Sequence, residues 1–144
     1  MTRGILKLAA AGFFAITVAA PSHGLERREQ RNVYASAGRE TRIASYSAPD
    51  EKCRAGARPE IVVAERPSYG KLINKPARIV AERSGVARQN HPCIGKFVDA
   101  IAVYYRSAAG FRGSDRLRLR ITFPALPPAA EAAVLEEEIF IGVR

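Results

Sequence analysis

Arg116-Leu117-Arg118-Leu119-Arg120-Ile121-Thr122-Phe123 alternates charged or polar residues with large apolar ones. In an extended chain successive side chains point to opposite faces. Leu117, Leu119, Ile121 and Phe123 therefore share one side, and Arg116, Arg118, Arg120 and Thr122 share the other. A helix would scatter the same apolar residues around its circumference. The stretch predicts a half-buried strand over 116–123, ended by Pro124, Pro127 and Pro128, which cannot supply the ladder N–H.

Working upstream, Phe97, Ile101, Val103 and Tyr105 repeat at period two and predict a strand over 97–106. Ser107 to Asp115 reads as the turn between the two strands, which are expected to pair antiparallel. Within it Gly110 and Gly113 can take positive φ, Phe111 can plug the end of the core, and Asp115 can accept backbone N–H bonds across the turn. Further short runs rich in β-branched and aromatic residues predict strands near 42–47, 60–65, 71–74 and 78–83. Ala129 to Glu138 favours helix while Ile139 to Val143 favours strand, and a terminal strand from about Val134 is the reading adopted. The pattern is that of an all-β sandwich of six or seven strands.

Arg3 and Lys7 precede an apolar stretch from Leu8 to Ala20, which Pro21, Ser22, His23 and Gly24 then break. This is the order of a secretory signal peptide, expected over 1–24 with cleavage after Gly24. The apolar stretch is shorter than the roughly 20 helical residues that cross a bilayer, so no membrane span is expected after cleavage. A secreted or periplasmic location follows. Residues 25–42 are polar and charged, with Arg27, Arg28, Glu29, Gln30, Arg31, Arg39 and Glu40, and read as a flexible basic arm. Residues 43–144 then make up the β-sandwich domain, one core in one domain.

Cys53 and Cys93 are the only cysteines, and an even count in an exported chain reads as a disulfide bond. Without residues 1–24 the chain keeps 21 basic against 14 acidic residues, a net charge of +7. Such a basic protein attracts polyanions: an acidic glycan, lipid phosphate or an acidic protein. No motif for specific nucleic-acid recognition is present.

Val103-Tyr104-Tyr105-Arg106-Ser107-Ala108-Ala109-Gly110-Phe111-Arg112-Gly113-Ser114-Asp115, running into the alternating strand, resembles the end of a bacterial cadherin-like or immunoglobulin-like β-sandwich repeat. There a Tyr-containing strand leads into a Gly-Phe-x-Gly-x-Asp turn. Pro67-Ser68-Tyr69-Gly70 resembles the Pro-x-x-Gly turn upstream of it in the same repeats. The resemblance covers about residues 59–123 in a single copy and implies a single immunoglobulin-like sandwich serving adhesion, binding or spacing. Asp50, Asp99 and Asp115 are the only aspartates, too few and too scattered for the clustered oxygen ligands of a calcium-dependent member.

Catalytic chemistry finds little footing. With His23 in the signal, His91 is the sole histidine of the remainder, which leaves too few ligands for a histidine-based metal site, and no Gly-x-Ser-x-Gly elbow accompanies it. Glu136, Glu137 and Glu138 read as a charged strand edge. No cofactor fingerprint appears. What remains is Arg116, Arg118 and Arg120, repeating about every 6.6 to 6.8 Å along one face, with Arg106 and Arg112 as expected neighbours. Such a ladder can grip successive anionic groups, and alternating arginine is equally the ordinary solvated face of a half-buried strand. The expected function is an exported, non-catalytic binding or structural module for anionic envelope material. The alternatives are a small secreted enzyme or an inhibitor-like modulator, for which Ser84 to His91 beside the disulfide is the candidate loop.

Overall fold

The computed structural model describes residues 25–127 and 131–144. The expected signal peptide lies outside them. Seven strands form two packed sheets: β1 (Glu26–Ala35), β2 (Thr41–Tyr46), β3 (Glu60–Glu65), β4 (Gly70–Val80), β5 (Phe97–Ser107), β6 (Gly113–Phe123) and β7 (Ala133–Val143). The four-stranded sheet runs β1-β7-β6-β3 and the three-stranded sheet β2-β5-β4. Placing the second, fifth and fourth strands on one layer and the third, sixth and seventh on the other is the immunoglobulin arrangement, with the first strand attached beside the last.

The alternation read in β6 holds residue by residue. Leu117, Leu119, Ile121 and Phe123 are buried in the main core with Tyr46, Val103, Tyr105, Leu135, Ile139 and Ile141. Burial of this set is the main driving force for the two sheets to pack.

Four expectations are corrected. First, residues 26–35 are not a flexible arm but strand β1, paired in parallel with β7 from Glu26↔Val134 to Ala35↔Val143. Its inward positions carry Arg27, Glu29 and Arg31, so no apolar periodicity marks it as a strand. Second, β5 and β6 are not ladder partners: β5 pairs with β2 and β4, β6 with β3 and β7. The segment joining them crosses from one sheet to the other, with Gly110 at φ 77° and Gly113 at φ 134°. Third, 71–74 and the start of 78–83 are one strand, which ends at Val80. β4 runs unbroken past Pro76 because it is an edge strand, where a missing N–H costs no ladder bond. Fourth, Glu137 is not part of an exposed edge but is 1% exposed. It falls in register with Leu135 and Ile139 on the inward side of β7.

β5 also changes its buried side along its length. Val103, Tyr105 and Ser107 are buried on one side, whereas Val98, Ala100 and Ala102 are buried on the other. Phe97, expected in the core, is 63% exposed. On the second side Val98 joins a small cluster with Ala81, Val86 and Cys93, to which the Cys53–Cys93 disulfide belongs. Cys53 sits at φ 63°, the one described non-glycine residue in the left-handed region. Among the described residues no helix is long and apolar enough to cross a membrane.

Candidate functional site: two charged sheet faces

Arg116, Arg118 and Arg120 point outward together from β6, as alternation requires. They are not free. Arg116 meets Glu65 at 2.9 Å and Glu138 at 3.6 Å, Arg118 meets Glu65 at 3.0 Å, and Arg120 meets Glu136 at 2.7 Å. Glu136 also faces Arg28 of β1 at 3.3 Å. Rows across the sheet alternate in sign, for example Arg28↔Glu136↔Arg120. Exposed pairs of this kind each contribute less than about 1 kcal/mol. Together they cancel the local field, so this face offers a polyanion little net attraction.

Arg106 and Arg112 do not join them. Arg106 lies on β5 in the other sheet, and Arg112 is exposed in the segment between the sheets. Arg106 instead belongs to a second charged face, the outer side of β2-β5-β4. There Arg106 stands directly opposite Lys71, and Arg42, Tyr104 and Ile73 form the neighbouring row. Lys75 completes the group, with its Nζ 5.1 Å from the centre of the Tyr104 ring. Arg42, Lys71, Lys75 and Arg106 are all exposed. Among the described residues the only carboxylate paired into this set is Glu40, which binds Lys75. Arg106 donates from Nε to the Gly38 carbonyl at 3.0 Å, which fixes its side chain without neutralising it. Like charges directly opposite on a sheet destabilise it, so Lys71 and Arg106 gain when an anion sits between them. Hydrophobic alternation gives no hint of this group, because its members come from three strands.

Asp115 has the structural part expected of it but serves a different turn. Its carboxylate accepts the Ser68 and Tyr69 backbone N–H groups at 2.9 Å each and the Tyr105 hydroxyl at 2.8 Å. The Tyr69 ring, just beyond, lies parallel on Phe111 with centroids 4.3 Å apart. Burial, then the Asp115 carboxylate, pushes the Tyr105 phenol well above its ordinary value.

Inside the sandwich, Glu137 accepts from Arg31 Nε at 2.7 Å and from the Tyr46 hydroxyl. Arg31 also donates to Ser84 Oγ at 2.9 Å. Burial opposes its charge, yet the Glu137 carboxylate holds its pKa above the usual guanidinium value. Arg27 donates to the Ser84, Val86 and Ala87 carbonyls. These bonds draw the start of the Ser84 to His91 segment against β1.

A groove of about 530 Å3 runs between residues 55–59 and the β4-β5 ladder. Its ionisable lining is Arg58, Arg78 and Asp99, the last two paired at 3.5 Å. Among the described residues no three His, Cys, Asp or Glu side chains converge as metal ligands. Fold and surface together define a basic, disulfide-closed β-sandwich with one neutralised charged face and one on which cations outnumber their carboxylate partners. Compared with known proteins, the chain matches no family model, no curated protein and no solved structure.

Proposed function

We propose that this chain is an exported, non-catalytic binding or structural module that contacts anionic cell-envelope material, and that it does so through the outer face of β2-β5-β4. The supporting observation is the register pair Lys71↔Arg106, two exposed cations set opposite each other beside Arg42. An anionic partner relieves their repulsion and releases counterions at the same time. The disulfide suits an oxidising compartment and so supports export. The strand order supports kinship with cadherin-like and immunoglobulin-like repeats, single-copy here.

The test compares two triple variants for retention on an anionic matrix across a salt series. Replacing Arg42, Lys71 and Arg106 with Ser should advance elution by well over the shift caused by replacing Arg116, Arg118 and Arg120. Equal shifts, or the larger shift from the β6 set, would overturn the assignment of the binding face.

A further inference from the structure

Two turns meet at one end of the sandwich: the β3–β4 turn carrying Tyr69 and the β5–β6 segment carrying Phe111 and Arg112. Tyr69 is 51% exposed, yet its position is fixed from three directions. Its N–H donates to Asp115 at 2.9 Å, its carbonyl accepts the Ala108 N–H at 2.7 Å, and its ring rests flat on Phe111 at an interplanar angle of 9°. Phe111 in turn packs against the main core. The result is a half-exposed aromatic ring held in place and backed on one face by a second ring.

Three cations are neighbours of this pair of rings in sequence or strand register. Lys71 follows Tyr69 by two residues, about 7 Å along an extended chain. Arg106 is Lys71's register partner, and Arg112 adjoins Phe111. A ring already held and backed in this way stacks on a ligand at little further cost in entropy. The negative π face of an aromatic ring attracts the polarised C–H groups of a sugar ring laid upon it. Carboxylate or sulfate substituents on the same sugar would then meet the neighbouring cations, bidentately where the partner is arginine.

We infer that this end of the sandwich is a saccharide site for an acidic glycan, with Tyr69 as the stacking plate and Lys71, Arg106 and Arg112 as holders of its anionic groups. The inference rests on the proposed function and deepens it by naming the ligand class.

The full exported chain is titrated calorimetrically with an oligogalacturonate, a heparin-derived hexasaccharide and inorganic polyphosphate, the last being a polyanion without sugar rings. Tyr69→Ala should weaken binding of the better saccharide roughly threefold to tenfold, the scale of one lost aromatic contact, and leave polyphosphate binding unchanged. Tyr69→Phe should retain saccharide binding. Because Tyr69 is half exposed, thermal midpoints close to that of the parent chain should show that both variants fold. Equal effects of Tyr69→Ala on saccharide and polyphosphate, or no effect on either, would overturn the saccharide site. So would failure of both saccharides to bind, or tighter binding of a single-stranded oligothymidylate. The double change Lys71→Ser with Arg106→Ser separates the two levels: loss of all polyanion binding sustains the proposed function even where stacking fails, and no loss overturns both.

Discussion

Tyr105 and Asp115 belong to different sheets, and the tyrosine hydroxyl donates across the interior to the carboxylate at 2.8 Å. Tyr46 and Glu137 repeat the relationship from β2 to β7. Each sheet-to-sheet strut is thus a phenol from the three-stranded layer and a buried carboxylate from the four-stranded one. An apolar sandwich tolerates sliding of its layers more readily than one pinned at two fixed points.

Asp115 holds one strut and two turn amides at once. Asp115→Ala should lower stability by about 3 kcal/mol, since three donors lose a charged acceptor. Asp115→Asn should cost less, because its carbonyl oxygen still accepts. Urea unfolding of both variants checks the order, and Tyr105→Phe should account for only part of the loss.

Buried Glu137 and partly buried Arg31 form an ion pair at the margin of the core. Removing one partner leaves the other charge uncompensated, so Glu137→Leu alone should destabilise the fold by about 3–5 kcal/mol. Combining Glu137→Leu with Arg31→Met should recover most of that loss. A double-mutant cycle in which the two losses simply add would show that the pair is not coupled.

The Cys53–Cys93 bridge closes a loop over a sequence separation of 40. The chain-entropy relation gives about 4 kcal/mol for such a closure. Alkylation without reductant should label neither thiol, and reduction should lower the urea midpoint accordingly.

His91 is buried beside this bridge, and its Nδ1 accepts the Cys93 N–H at 3.2 Å. Burial first, with help from Arg88, lowers its pKa, while Glu51, Asp50 and a bond to the Pro49 backbone partly oppose the shift. The unfolded chain therefore takes up the proton at higher pH than the folded one. Stability from this group is full above about pH 6.5 and declines as pH falls below it. Thermal midpoints between pH 7.5 and 5 should fall for the parent chain and fall less for His91→Gln.

Much of the architecture is legible in the chain because β6 states its burial pattern openly and β3 and β7 fall where β-branched residues cluster. β1 is missed for a physical reason: its inner side bears Arg27, Glu29 and Arg31, which enter the sandwich only because Glu137 and backbone carbonyls receive the two arginines and Arg27 and Gln89 receive Glu29. Partners at separations of 57 to 106 leave no local periodicity. Glu137 itself was readable, since Leu135, Ile139 and Ile141 share its parity. The β6 arginines are visible in sequence, whereas the Glu65, Glu136 and Glu138 that pair with them depend on sheet order. The face around Lys71 and Arg106 likewise exists only once β4 and β5 are set in register.

The parallel pairing of β1 with β7 joins stretches more than a hundred residues apart, as the Gln30–Glu138 hydrogen bond at a separation of 108 illustrates. Loop closure over such a span comes late and slowly. During synthesis the β1 segment has no ladder partner until β7 has emerged, and its charged inner side keeps it hydrated while it waits. A chain built this way gains its closed form only once its first and last strands have met.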